Sequence, residues 1–268
     1  MTHSNIRNFF APKLMTALTL PVALAGLLAT GNSIQAQPIV VPNHSFETDN
    51  APAVYPFVNT NVVSWEKNPE PGYFGPLTGG FPPWAGTAGV FLDVNPYTNH
   101  IGNQVGYILG FPGVALFQDY DSTPTHDFNA TYEIGKSYNM TIGVFGKNSL
   151  APGSSLVLSL YYRDGSNSKV TVGSTTVVYS PAAFSMAGPL GLVDYQVNVP
   201  TVQAGDAWAG QHIGIQLESV LPFELITGGN WDFDNVRLTA VPEPGSLSLF
   251  ALGAGGLMLA RTRSRRSA

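Results

Sequence analysis

Alternation of large with small or polar residues recurs along the middle of this chain, and it restricts the fold more than any other feature. Four segments show it most clearly: 138–144, 156–160, 193–199 and 213–218. A period of two puts one face of each segment on a core and the other toward water, as in half-buried β-strands. Turn signals such as Asp164-Gly165 separate the segments. We therefore predict an all-β domain built as an antiparallel β-sandwich.

The N-terminal segment differs from this alternating region. Arg7 and Lys13 precede an apolar run over 14–29, and a short polar stretch then ends at Ala36. A basic start, an apolar run and a small residue at the end are typical of a cleaved signal peptide, which we place over 1–36 and expect to form a helix. A retained membrane anchor or a helix of the folded domain is the alternative.

The central segment, residues 37–240, is acidic and has no cysteine. It contains six Lys and Arg residues and sixteen Asp and Glu residues, a formal charge of −10. Because no basic patch accompanies the acids, nucleic acid is not expected as a partner. The lack of cysteine excludes disulfides, cysteine nucleophiles and thiolate metal sites, so stability must come from burial or bound ions. No repeat or linker divides the segment, and we predict one domain.

The C-terminal segment, residues 241–268, contains a Pro-Glu-Pro triplet, an apolar run and a cluster of arginines. These residues are Pro242, Glu243 and Pro244, then 245–260, then Arg261, Arg263, Arg265 and Arg266. A helix over the apolar run would measure about 24 Å, somewhat less than the ~30 Å hydrocarbon layer. Basic residues flank the cytoplasmic side of membrane segments. Since both ends are basic, we predict that both begin inside and that the acidic domain lies outside.

This tail resembles the PEP-CTERM sorting signal of Gram-negative bacteria. The resemblance implies that an exosortase recognises the tail, cleaves near the triplet and passes the protein to the cell surface or extracellular matrix. Anchoring in the inner membrane would then be transient. The resemblance also implies an exopolysaccharide-producing, biofilm-forming source. An ordinary C-terminal membrane anchor is the alternative.

Three central segments resemble strands of jelly-roll domains related to galactose-binding and carbohydrate-binding modules. They are 43–47, 135–140 and 231–238, which match the first, a middle and the last strand. The resemblance implies a jelly-roll-like sandwich. It also implies a structural calcium ion shared by the first and last strands, with Glu47 and Asp234 as acidic ligands.

A physical argument about Asp234 supports the calcium prediction. On a regular strand Asp234 shares its face with Val236 and Leu238, the residues expected to point into the core. A buried carboxylate is costly unless it is paired or bound to a metal, and calcium prefers oxygen ligands. The alternatives are that Asp234 caps a turn or pairs with Arg237 or a lysine. For Asp119-Tyr120-Asp121, with Asp127 further on, we predict a solvated acidic turn. A second calcium loop is the alternative, but the segment lacks the glycine and terminal glutamate of the EF-hand pattern.

The stretch from 66 to 84 is rich in proline and glycine, so it must form a long loop rather than lie inside a sheet. Long loops on a rigid scaffold often carry binding sites. Sugar-binding modules stack pyranose rings on aromatic faces, and the candidates here are Tyr73, Trp84 and Tyr97. Packing of these aromatic rings over the edge of the sandwich is the alternative.

No motif in the chain predicts catalysis. Neither a His-Glu-x-x-His pattern nor a Gly-x-Ser-x-Gly elbow is present. We therefore predict a noncatalytic surface or matrix protein, without catalytic residues, that associates with extracellular polysaccharide. A structural matrix protein without ligand specificity is one alternative. A secreted glycoside hydrolase is another, because it needs only two carboxylates, and Glu66, Glu70 and Asp93 lie near the aromatic loop.

Overall fold

The computed structural model describes residues 35–243, except 56, 81, 94–96, 122, 124, 148 and 186–189. The predicted signal peptide up to residue 34 lies outside the described residues. So do Pro244, the apolar run, the arginine cluster and both predicted flanking helices. Within the described part of the chain, no helix has the length and hydropathy of a membrane span.

Short strands dominate the described residues, as the alternation predicts. The strands are β1 Gln37–Ile39, β2 Val58–Asn59, β3 Glu66–Lys67, β4 Ala88–Leu92, β5 Gln104–Leu109, β6 Ala115–Gln118, β7 Lys136–Gly146, β8 Ser155–Arg163, β9 Lys169–Val178, β10 Val193–Val199, β11 Gly214–Val220 and β12 Asn230–Pro242. One α-helical turn, α1 Phe74–Thr78, and two 3-10 turns, Trp84–Thr87 and Phe223–Leu225, complete the described elements.

Two antiparallel sheets form the domain, which confirms the predicted antiparallel β-sandwich. The first has seven strands in the order β10-β7-β12-β5-β4-β2, and β1 also pairs with β12. The second has five strands in the order β3-β6-β11-β8-β9. We call these the seven-stranded sheet and the five-stranded sheet. The four segments chosen from their alternation are β7, β8, β10 and β11.

Alternate residues of the long strands form the core between the two sheets. In β8, Leu156, Leu158 and Leu160 are fully buried, and their counterparts in β7 include Met140 and Ile142. Close packing is visible at Gly106 of β5, where an added Cβ would lie 2.4 Å from the ring of Phe233 in β12. Only glycine leaves room there for the aromatic ring.

A β-bulge in β12 changes which side chains share a face. Asp234 is opposite Gly143 of β7 and Arg237 is opposite Thr141. A step of three residues along β12 therefore faces a step of two along β7. Asn235, inside this bulge, has a φ of 59°. Gly143 and Thr141 point to one face, so Asp234 and Arg237 do too, while Val236 points to the other. The expectation that Asp234 shares a face with Val236 and Leu238 is therefore wrong.

Three other local expectations need correction. Residues 43–47 form turns rather than a first strand, and Asn43 and Phe46 have φ values of 45° and 57°. The 66–84 stretch is not entirely loop, because it contains β3 and α1. Asp119 is 3% exposed, so the acidic turn at 119–121 is not solvated throughout.

Candidate functional site

An apolar cleft of about 620 Å³ lies against β4 and β5 of the seven-stranded sheet. This volume is within the range of small-molecule sites. Its walls include Phe57, Phe91, Leu92 and Tyr107, and Lys147 contributes a cationic group. Phe57 at the wall is 55% exposed, so part of the apolar surface faces solvent. We call this site the cleft.

Strand register brings a carboxylate close to the cleft. Asp232 of β12 is opposite Tyr107 of β5 on one side and opposite Phe145 of β7 on the other. Directly opposed residues point to the same face of a sheet, so Asp232 shares the face of Tyr107. Its side chain is fully buried. A buried carboxylate must be satisfied by donors, and three side chains supply them.

Two of the donors to Asp232, Tyr97 and Lys147, are distant in the chain, and the third, Asn230, lies two residues before it on β12. The Tyr97 hydroxyl donates to Oδ2 at 2.5 Å, and Lys147 Nζ lies 3.1 Å from the same oxygen. The Asn230 amide donates to Oδ1. Burial raises the pKa of Asp232 to about 6, although the nearby Lys147 charge and these hydrogen bonds oppose the shift. Burial, and then the Asp232 charge, raises the pKa of Tyr97 above its ordinary range.

Lys147 connects this carboxylate to the cleft. Its side chain is 31% exposed, and it lines the cleft together with Asn230. Its Nζ lies 5.1 Å from the centroid of the Phe91 ring, a distance at which the ring face attracts a cation. The cleft thus presents an ammonium group, backed by a buried carboxylate, within mainly apolar walls.

The predicted calcium ligands, Glu47 and Asp234, hold the same short segment. Asp234 Oδ2 accepts from the Ile101 amide at 2.6 Å. Glu47 Oε1 accepts from the amides of Asn103 and Gln104 at 2.9 and 2.6 Å. Burial raises the pKa of Asp234 to about 7, and the charge of Glu47 adds to the rise. The two carboxylates are therefore close enough to repel each other.

These two residues fit a calcium ion in part. Asp234 Oδ1 is buried and has no hydrogen-bond partner among the described residues, and a cation would satisfy it. Within the described residues no third acidic or histidine side chain completes the pair, so the remaining ligands would be carbonyl, amide or water oxygens. A bound ion would supply charge neutralisation and order the 101–104 segment. Glu47 and Asp234 remain a predicted site.

The three aromatic residues predicted to bind sugar lie in different environments. Tyr97 is 3% exposed and too buried to stack on a ring. Tyr73 is half-buried, packs on Phe223 with centroids 4.8 Å apart and donates its hydroxyl to the Pro112 carbonyl. Trp84 is half-buried and packs on Phe74 at 4.8 Å. The structure thus brings no stacking platform together from these three.

A second group of polar and charged residues, which no sequence motif predicted to come together, surrounds Asp119. Asp119 Oδ2 accepts from the Tyr161 hydroxyl at 2.7 Å and from Arg163 Nε at 2.6 Å. Its Oδ1 lies 2.5 Å from His126 Nδ1, and Glu66 Oε1 lies 3.0 Å from His126 Nε2. We call these five residues the Asp119 network. Glu66, considered above as a glycosidase carboxylate, is thus paired with a histidine, while Asp93 accepts from the Tyr97 amide.

The domain is thus an antiparallel β-sandwich with an apolar cleft that contains a lysine. Comparison with known families gives its family. The family model for HpiC1 cyclase matches residues 37–239, so the chain belongs to the HpiC1-like family. The PEP-CTERM protein-sorting motif matches 240–266, which confirms the predicted sorting tail. The motif implies export and sorting by an exosortase. No curated protein matches the chain.

One solved structure shares the fold of this domain at low sequence identity, and two others are similar at lower TM-scores. A cyclase from Fischerella sp. TAU is 20% identical with a TM-score of 0.51, covering 78% of this chain and 99% of that one. The Stig cyclase Fisc of the same organism, solved with (3Z)-3-(1-methyl-2-pyrrolidinylidene)-3H-indole, is also 20% identical with a TM-score of 0.49, covering 78% and 100%. The carbohydrate-binding module TmCBM61, solved with β-1,4-galactotriose, is 14% identical with a TM-score of 0.40, covering 75% and 97%.

Proposed function

We propose that the exported domain is a cyclase-type enzyme that binds a small, mainly apolar organic ligand in the cleft. The observation that carries the proposal is the apolar cleft with Lys147 inside it and Asp232 directly behind. Membership of the HpiC1-like family supports a catalytic role. This proposal departs from the expectation of a noncatalytic protein, which was based on the absence of sequence motifs.

The cleft chemistry defines the ligand. Apolar walls formed by Phe57, Phe91 and Leu92 favour a hydrocarbon or aromatic body. The Lys147 ammonium favours one negative or hydrogen-bond-accepting group at one end of that body. Because Tyr97, Lys147 and Asp232 share hydrogen bonds, this group can give a proton to the ligand through Lys147 and take one back from the cation that forms when the ring has closed. The ligand gains and loses one proton, so its composition is unchanged.

Binding is tested with 1-anilinonaphthalene-8-sulfonate, which is aromatic and carries one negative charge. We expect one molecule to bind per domain, detected by fluorescence titration. Ala53→Trp fills the cleft from an exposed lining position and should weaken binding at least about tenfold. Lys147→Met should weaken it similarly by removing the charge, whereas Lys147→Arg should not. Val54→Trp, a 70% exposed neighbour outside the residues that line the cleft, is the matched control.

Turnover is tested on organic extracts of the native host by liquid chromatography and mass spectrometry. Cyclisation leaves the mass unchanged and alters retention, so we expect a compound of unchanged mass to shift with the wild-type domain. Asp232→Asn and Ala53→Trp should abolish the shift. Binding of the fluorescent probe without any shift would contradict the catalytic proposal and favour a noncatalytic binding protein. If Ala53→Trp binds the fluorescent probe as tightly as the wild-type domain, the cleft is not the binding site.

A second candidate function, polysaccharide association, is supported by the outer face of the five-stranded sheet. Lys169 Nζ donates to Gln216 Oε1 at 2.7 Å and to Asn68 Oδ1 at 3.2 Å. Gln216 Nε2 in turn donates to Glu218 Oε2 at 2.7 Å. Burial, and then the Arg163 charge, lowers the pKa of Lys169 to about 7. Amide, carboxylate and amine groups that lie together on this face are suited to the hydroxyl groups of a sugar chain.

A glycan array tests this second candidate. If the face binds polysaccharide, Gln216→Ala should lower the array signal at least about fivefold, because a hydrogen bond at a binding site contributes roughly 1 kcal/mol. Asn198→Ala, on β10 of the other sheet, should leave the signal unchanged. An unchanged signal in Gln216→Ala, or no bound glycan, would contradict the candidate without affecting the cyclase proposal.

A further inference from the structure

The sorting motif begins inside the folded domain. The motif covers 240–266, whereas β12 continues to Pro242. Val241 is paired with Ser137 and Pro242 with Lys136 of β7. One residue further, the Glu243 amide donates to the Gly135 carbonyl at 2.8 Å. The first two residues of the Pro-Glu-Pro triplet are therefore held at the end of a sheet strand.

The opposite edge of β12 is also covered near this end. Gln37 of β1 is paired with Ala240, and Ile39 is paired with Leu238. Leu238 and Ala240 are 1% and 3% exposed. Backbone groups between 238 and 240 thus have partner strands on both sides. Gln37 is also the first residue after the predicted signal cleavage, so both processed ends of the domain leave the sheet at neighbouring strands.

A protease cuts a backbone that it can surround, so hydrogen-bonded and buried strand residues are cut only after local opening. We propose that the processed peptide bond lies C-terminal to Glu243, and that it is cut while β12 stays in the sheet. Hydrolysis of that bond consumes one water molecule and leaves a carboxylate on the domain and an amine on the released tail. The mature domain then retains Pro242, the last residue of β12, and Glu243.

A disulfide across the strand end tests this inference in the export host. Ser137→Cys/Val241→Cys places two thiols at directly paired positions of neighbouring strands, where a disulfide can close. The chain has no other cysteine, and the bond can form outside the cytoplasm. The two single cysteine variants are matched controls that carry the same side chains without the lock.

We expect the disulfide-locked variant to be processed at the wild-type rate. Intact-mass measurement should show that the mature chains of the wild type and of the locked variant both retain residues 242 and 243. The thermal stability of the locked variant establishes that it is folded. Slower processing of the locked protein than of the single variants would overturn the inference, since cutting would then need β12 to open. A mature chain ending at or before Pro242, or a tail retained in the wild-type protein, would also overturn it.

Discussion

Calcium is expected to raise the melting temperature of the metal-free domain by about 5–10 °C when present at ~100 times its dissociation constant. The expected cause is the pairing of Glu47 and Asp234, whose carboxylates both hold the 101–104 segment. A cation between them would relieve their repulsion and satisfy the unpartnered Asp234 Oδ1. Differential scanning calorimetry with and without a chelator makes the measurement.

Variants separate a specific site from a general salt effect. Asp234→Asn should remove the calcium-dependent increase, and Glu47→Gln should reduce it. Glu133→Gln changes an acid whose side chain is 58% exposed and serves as the matched control. Magnesium at the same concentration should have a smaller effect, because it demands tighter octahedral geometry. An equal rise in Asp234→Asn would show that calcium acts elsewhere.

Replacement of Asp119 by Asn is expected to destabilise the domain by about 2–3 kcal/mol at neutral pH, because Arg163 and His126 lose a charged partner. This value is below that of a fully buried pair, since the Arg163 side chain is 24% exposed. Urea denaturation of both proteins measures the difference. Asp121→Asn changes a more exposed neighbour, 47% exposed, and should have a much smaller effect.

The stabilisation of the domain by Asp119 should decrease as the pH falls. Burial alone would raise the pKa of Asp119, but hydrogen bonds from Tyr161 and His126 and the charge of Arg163 hold it below its ordinary value. A carboxylate with a lowered pKa in the folded state stabilises the protein above its unfolded pKa and loses that contribution as the pH falls. The difference between wild type and Asp119→Asn should therefore shrink below a pH of about 4. A constant difference between pH 3 and pH 7 would contradict an ionic role for Asp119.

Local patterns in the sequence were sufficient to predict β7, β8, β10, β11 and the sorting tail. The alternation is clear in β7 and β8 because one face of each strand packs on the core, so the side of the sheet that a residue faces restricts its hydropathy. The tail is defined by a triplet, an apolar run and basic residues that follow each other directly, and no folding is needed to bring them together. These features are local in the chain.

Alternation failed where the backbone departs from a regular strand. The bulge at Asn235 places Asp234 and Val236 on opposite faces, and one extra residue is enough to reverse the pattern. The turn at 43–47 likewise depends on φ values that side-chain hydropathy does not predict. Both errors concern the predicted calcium ligands, whose proximity nonetheless follows from contacts with a third segment, 101–104.

The sequence by itself therefore determined the fold class, the acidic exported domain and the sorting signal, because each depends on neighbouring residues. Only the tertiary structure decided which carboxylates are buried and with which partners. Tyr97 and Asp232 are 135 residues apart in the chain, and the register of β5, β12 and β7 brings Asp232 beside the cleft. Such a site depends on strand pairing across the whole domain, and no local pattern of residue types records it.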